Sequence, residues 1–267
     1  MRYRRGSWNL ALFPLVYKKN LLTVNWDKTR FLTFSLTGAN KPQNQTITLH
    51  SCPSNLLCNC PSINQTDQIK YLGIIVDDRL HWDKHTVHLT LRLRKLIYKF
   101  VQLRRVLPSD ILKNVYYALI ESTLSYGILA WGGSYYTHIS CLTRTQKLIL
   151  RILNFKPNRY PSKLLFKEYE VLSIRQIFIN KILLYIHKHP EHTITVAHRH
   201  HTRTRNTNLS LPRMATALGQ RHAMYLATKI YNIIPLHLKS IQNYKTEMKK
   251  WLIERDIDTA ETLIKPM

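Results

Sequence analysis

The chain has 267 residues, with 40 Lys and Arg against 15 Asp and Glu, a formal charge of +25 before its 13 histidines are counted. A content of 45% hydrophobic residues, including five Trp, 15 Tyr and seven Phe, excludes disorder over the whole length and supplies a core for one or two domains. Only seven Gly are present, and neither Gly-x-Gly-x-x-Gly nor a Walker A sequence occurs, which sets aside the nucleotide-dependent enzymes built on those loops.

The first residues, Met1 to Arg5 followed by the apolar run Trp8 to Tyr17, have the charge-then-apolar order of a signal peptide. No small-residue cleavage site follows and Lys18-Lys19 interrupts the run, so secretion is not the expectation. Nor does any stretch approach the ~20 apolar residues of a bilayer span. Three cysteines crowd into residues 52–60 and Cys141 stands alone, which is no disulfide framework. The expectation is an intracellular protein, nuclear or cytoplasmic, without a membrane partner.

Residues 30–36 alternate β-branched and aromatic side chains and read as a strand; residues 38–42 are a turn and 46–49 a second short strand. The Cys-, Pro- and Asn-rich stretch 51–61 is a loop. A third strand covers 69–76, with Gly73 marking a bulge or the close approach of another backbone.

After Asp83, an N-cap candidate, the period changes. Leu89, Leu93, Leu96, Phe100, Leu103 and Leu107 are spaced four and three in alternation, which places them within ~40° of one line on a helix. The pattern predicts an amphipathic helix over 84–107, ended by Pro108. Ser109-Asp110 is placed to cap a helix over 110–126, and further helical patterns cover 138–153, 173–188, 218–232 and 242–255. Polar stretches at 190–210 and, less markedly, 154–161 are candidate joints. The fold class expected is α+β, predominantly α-helical, with short β elements first.

The excess charge is spread along the chain: residues 1–100 carry 15 bases and five acids, residues 101–200 carry 14 and five, and the rest 11 and five. A surface positive almost everywhere repels itself, so the expected partner is a polyanion, with nucleic acid first. The helix over 84–107 concentrates this signal. Lys84, Arg92, Arg94, Lys95, Lys99, Arg104 and Arg105 lie off its apolar seam, and no acid stands between Asp83 and Asp110 to pair with them.

Three other constellations bear on chemistry. Asp77-Asp78 follows an apolar strand, as carboxylates of two-metal sites do, but adjacent residues point to opposite faces and such a pair is usually a turn and capping device. Cys52, Cys58 and Cys60, preceded by His50, are weak zinc candidates without the usual paired Cys-x2-Cys spacing. His187, His189, His192, His198, His200 and His201 lie among Lys188, Arg199, Arg203 and Arg205, which favours phosphate contact over cation binding.

Several of these stretches, in order, resemble the C-terminal part of the reverse transcriptase of non-LTR retrotransposons. Asn25-Trp26-Asp27-Lys28-Thr29 is similar to the family's Asn-x-x-Lys-Thr palm segment. Tyr71-Leu72-Gly73 followed by Asp77-x-x-Leu80-x-Trp82-x-x-His85 resembles its primer grip and thumb entry. Residues 118–133 and Gln146-Lys147-x3-Arg151 look like its thumb and post-thumb helices, and Lys229 to Pro235 like its C-terminal stretch. The resemblance implies a palm remnant over 18–49 and a Cys-containing loop with the primer-grip hairpin over 50–82. It further implies a helical thumb and post-thumb region over 83–190, and a basic linker with C-terminal helices over 191–267; residues 1–17 stay unassigned. It also implies Lys28 near the incoming nucleotide's phosphates, Tyr71, Leu72 and Gly73 at the primer's 3′ end, and Lys84, Arg92, Lys95, Lys99, Arg104 and Arg105 on the nucleic-acid backbone.

The family's catalytic carboxylates, one on an early palm strand and two in a Phe/Tyr-x-Asp-Asp hairpin, precede the Asn-x-x-Lys-Thr segment. No Phe/Tyr-x-Asp-Asp occurs in this sequence. The expectation is therefore a truncated product without polymerase activity, needing no cofactor itself although the intact family enzyme uses Mg2+. The alternative is a non-enzymatic nucleic-acid-binding or zinc-stabilised interaction protein.

Overall fold

The computed structural model describes residues 19–21, 23–35, 45–48, 60–190, 209–255 and 257–265. The chain divides between His81 and Trp82 into two compact units, and residues on both sides of the 190–210 stretch belong to the second. The architecture is mostly helical, with short strands first, as the sequence pattern implies.

In the first unit, β1 (Arg30–Phe31), β2 (Thr46–Thr48) and β3 (Ser62–Gln65) form a sheet in the order β1-β3-β2. β3 runs parallel to β1, with Arg30 opposite Asn64, and antiparallel to β2, with Ile47 opposite Ile63. Ile63 is the buried side chain of this sheet. β3 has no counterpart in the sequence reading, because Ser-Ile-Asn-Gln offers one apolar residue and no alternation to detect. The strand expected over 30–36 ladders only at Arg30–Phe31, although the N–H of Ser35 still donates to the carbonyl of Asp78 at 3.0 Å.

The third expected strand is a hairpin. β4 (Gln68–Tyr71) and β5 (Ile74–Asp77) pair antiparallel around Leu72-Gly73. Leu72 has φ 46° and Gly73 φ 82°. Two successive positive φ values make the tight turn whose twist matches the flanking strands. Leu in the first position, where Asn or Asp usually stands, hid the turn, and Gly73 is its second residue rather than a bulge.

The second unit begins with α1 (Asp83–Leu103), followed by α2 (Ser109–Tyr116), a π-helical turn (Tyr117–Glu121) and α3 (Ser122–Ser125). The expected helix over 110–126 is thus continuous in direction but interrupted in hydrogen bonding. Neither expected cap operates: Trp82 and Pro108 occupy the N-cap positions without a side-chain bond. Asp83 instead places a carboxylate in the first turn, where the helix dipole favours it. α4 (Ile128–Trp131) and α5 (Tyr136–Leu153) follow, then α6 (Ser162–Glu168) and α7 (Ile174–Lys188). The C-terminal part holds α8 (Ala217–Gln220), α9 (Ala223–Ile233), α10 (Leu236–Lys239), α11 (Tyr244–Glu254) and α12 (Ile257–Ile264).

α7 is the axis of this unit. Its residues are apolar on nearly every face, the signature of a helix enclosed by others, and α3, α4, α9, α11 and α12 all pack on it. Ser173 starts it with a reciprocal capping box, its hydroxyl accepting from the N–H of Gln176 while the Gln176 side chain accepts from the N–H of Ser173. Gly132 and Gly133 let the turn after α4 approach closely. A Cβ at Gly132 would sit 2.4 Å from Cδ2 of Phe178, and one at Gly133 2.2 Å from the carbonyl oxygen of Arg221.

Candidate nucleic-acid interface

α1 is positioned by its apolar seam. Leu89, Leu93 and Phe100 are buried, and Leu96, Leu103 and Leu107 pack against the core at its edge. The helix lies on α5. Polar links fix its N-terminal half: the hydroxyl of Thr86 donates to the carbonyl of His138 at 2.8 Å, and Nη2 of Arg94 lies 3.8 Å from Sγ of Cys141. His85 is buried edge-to-face on Trp131, with ring centroids 5.6 Å apart. Burial, with His88 adding repulsion, lowers its pKa to about 4, so it is a neutral core residue.

At 100° per residue the cations fall outside the seam. Lys84, Arg92, Lys95 and Lys99 lie on one flank, Arg94 and Arg105 on the other, and all are exposed. Between the flanks run Val87, Leu91 and Tyr98, whose ring is 72% exposed. α1 therefore offers solvent a strip of apolar and aromatic surface edged by ammonium and guanidinium groups, with no acid between Asp83 and Asp110.

Arg104 differs from the rest of the predicted set. It is half-buried; its Nη1 donates to the carbonyl of Ile152 at 2.9 Å and its guanidinium lies 4.7 Å from the centroid of Phe155. It ties the end of α1 to the end of α5. The helix itself stops at Leu103, four residues before the expected end, and continues through Leu107 as tight turns.

In the first unit, the Asn25 to Thr29 segment is a turn held by its own polar side chains. The N–H of Lys28 donates to Oδ1 of Asn25 at 3.1 Å, and the hydroxyl of Thr29 donates to the Asn25 carbonyl at 2.7 Å. Lys28 is thereby presented at the surface, exposed. Tyr71, Leu72 and Gly73 form the exposed tip of the β4-β5 hairpin, with Leu72 70% exposed. An apolar side chain held out at a positive-φ position is an uncommon use of Leu.

Asp77 is a turn residue. It is buried, and its Oδ2 accepts from the N–H of His81 at 3.0 Å, while the carbonyl of Asp77 accepts from the N–H of Leu80. Asp78 is bonded through its backbone to Asp67 and Ser35. Among the described residues no three His, Cys, Asp or Glu side chains converge as metal ligands. Cys52 and Cys58 lie outside the described residues, as do His192, His198, His200 and His201; Cys60 is half-buried just before β3. Of the histidine cluster, His187 stacks flat on Tyr244 at 3.8 Å, and His189 lies against Tyr185.

Two arrangements had no signal in the sequence. One is the contact of Arg104 with Phe155. The other is Arg175 on α7, 5% exposed, which donates to the carbonyls of Gly132 (2.6 Å) and Ser134 (2.8 Å) and pairs in two-pronged fashion with Glu261 of α12. Its partners lie 41 to 86 residues away along the chain. Among the described residues no helix is long and apolar enough to cross a membrane. No family model, curated protein or solved structure matches the chain.

Proposed function

We propose that this chain is a nucleic-acid-binding segment of the non-LTR retrotransposon reverse-transcriptase kind, which grips a template-primer duplex through α1 without carrying the catalytic carboxylates. The observation that carries this reading is the basic outer surface of α1 and of the turns that follow it, where Lys84, Arg92, Lys95, Lys99 and Arg105 are all exposed, no acid lies between Asp83 and Asp110, and the opposite side is fixed in the core.

A helix of 21 residues is about 30 Å long, on the order of nine steps of a nucleic-acid strand at ~3.4 Å each. Cations along it displace condensed counterions and position the duplex without reading its sequence. The same spacing suits an RNA–DNA hybrid, whose shallow minor groove presents phosphates and 2′-hydroxyls. By resemblance, the exposed hairpin tip at Tyr71, Leu72 and Gly73 addresses a primer end, and Lys28 a phosphate.

Fluorescence anisotropy with a labelled RNA–DNA hybrid across a salt series tests the binding. Affinity falls steeply with salt, and replacing Lys95, Lys99 and Arg105 with Gln flattens the log–log slope by about 0.9 per lost phosphate contact. Absence of binding at low salt, or an unchanged slope in the triple variant, refutes the assignment to α1. Primer extension on an RNA template with Mg2+ yields no product; template-dependent incorporation abolished by Asp77→Ala would overturn the non-catalytic part.

A further inference from the structure

We propose that the ring of Phe155 is a stacking platform for an unpaired nucleobase, set at the C-terminal end of α1. This rests on the nucleic-acid-binding reading but names a different surface and a single-stranded ligand.

The backbone around Phe155 is a helix-ending motif. The N–H of Lys156 donates to the carbonyl of Arg151 at 3.0 Å and that of Phe155 to the carbonyl of Ile152 at 3.4 Å, closing α5 with Phe155 itself in the left-handed region. Phe155 has φ 51°. That position usually takes Gly, or sometimes Asn, because a Cβ crowds the adjoining carbonyl. An aromatic side chain gains nothing for the backbone here.

Nor does it serve the core. Phe155 is 64% exposed and is absent from the apolar cluster that buries Leu150 and Leu153 just before it. The guanidinium of Arg104 covers part of the ring at 4.7 Å and is itself held by the carbonyl of Ile152 at 2.9 Å. The end of α6 repeats the same backbone motif with Glu170 at φ 52°, but there the carboxylate is engaged by Lys113 at 2.9 Å. Phe155 instead presents an open aromatic surface, oriented by a tethered cation.

The flanking charges select the ligand. Arg105 directly follows Arg104 and Arg159 lies four residues beyond Phe155, both exposed, while Glu168 is taken up by Lys156 and Tyr160. A planar ring beside free cations suits a base with its attached phosphates, since every base has a π-face and Arg adds to the stack. The base must be unpaired, because within a duplex its faces are covered by its neighbours.

The experiment compares two probes on the full chain at one low salt concentration: an oligothymidylate of about twelve nucleotides and an abasic backbone of equal length. Wild type is expected to prefer the base-bearing probe by on the order of tenfold. Phe155→Ala and Phe155→Asn abolish the preference while leaving abasic binding unchanged, and Phe155→Trp retains it. Asn tolerates the left-handed position, so Phe155→Asn melts no lower than wild type, and its loss of preference is not unfolding. An undiminished preference in Phe155→Asn, or a wild type that binds both probes equally, overturns the platform and leaves the basic helix standing. A wild type that binds neither probe nor the hybrid overturns both.

Discussion

Arg175→Met is the sharpest test of how the second unit holds together. Arg175 is 5% exposed, and its guanidinium donates to the carbonyls of Gly132 and Ser134 and to both oxygens of Glu261, with Nε at 2.6 Å and Nη2 at 3.1 Å from the carboxylate. Met keeps much of the stem volume but removes every donor. The carbonyl of Gly132 then loses this charge-assisted bond, whereas that of Ser134 still accepts from Arg221 at 3.2 Å. Breaking a buried pair in this way costs ~3–5 kcal/mol, much of it the stranded polar groups. Glu261→Gln costs less, about 1–2 kcal/mol, because Glu261 is 25% exposed and the amide oxygen still accepts. For a unit of this size 1 kcal/mol moves the melting temperature by roughly 2–4 °C, so the two variants should melt about 10 °C and about 4 °C below wild type by circular dichroism at 222 nm. Arg175→Met within ~0.5 kcal/mol of wild type, or a Glu261→Gln cost equal to it, would refute the division of labour between carbonyls and carboxylate.

Acid should destabilise the same unit through His85. Its pKa is about 4 folded against 6.5 unfolded, so between those values the unfolded chain binds the extra proton; the stabilisation is whole above pH 6.5 and lost progressively towards pH 4. The loss is about 2 kcal/mol after allowing for solvent screening, and urea midpoints measured at pH 7 and 4.5 should converge in His85→Phe; an unchanged pH dependence there assigns the effect elsewhere. Gly133→Ala puts a methyl 2.2 Å from the Arg221 carbonyl, and Arg221 in turn holds the Gly133 carbonyl at 3.2 Å, so neither backbone yields freely. A cost of about 1–3 kcal/mol is expected, and a melting temperature equal to wild type would show that the two segments move apart without penalty.

The seam of α1 was legible because six apolar residues, Leu89 to Leu107, hold one line over about five turns, and the core lies on the side they face. What ended the helix at Leu103 was not: Arg104 is drawn to the carbonyl of Ile152, a tertiary contact that local pattern cannot show. α4 and α10, four residues each, are too short for a period of 3.6 to register. The hairpin was expected within 50–82 from the resemblance alone; its turn at Leu72-Gly73 and the left-handed ends at Phe155 and Glu170 escaped the residue pattern for one reason. With seven glycines in 267 residues, this chain uses Leu, Phe and Glu where turn signals usually carry Gly or Asn. Local pattern could not tell that, of the cations expected on α1, Arg104 is committed to the protein while Lys95 and Lys99 are exposed.

The distribution of acids separates the two roles of charge. Glu168, Glu170, Glu247, Asp258 and Glu261 each pair with a Lys or Arg within the second unit, so the few carboxylates there serve the fold. α1 receives none of them. A net charge of +25 makes the folded chain repel itself, and added salt screens that repulsion over about 10 Å at 0.1 M. Salt should therefore raise the melting temperature of the free protein while it weakens its hold on nucleic acid. The opposite signs matter for interpretation. If affinity fell with salt because the protein unfolded, stability would fall alongside it; a rising melting temperature over the same series leaves the release of counterions from phosphates as the cause.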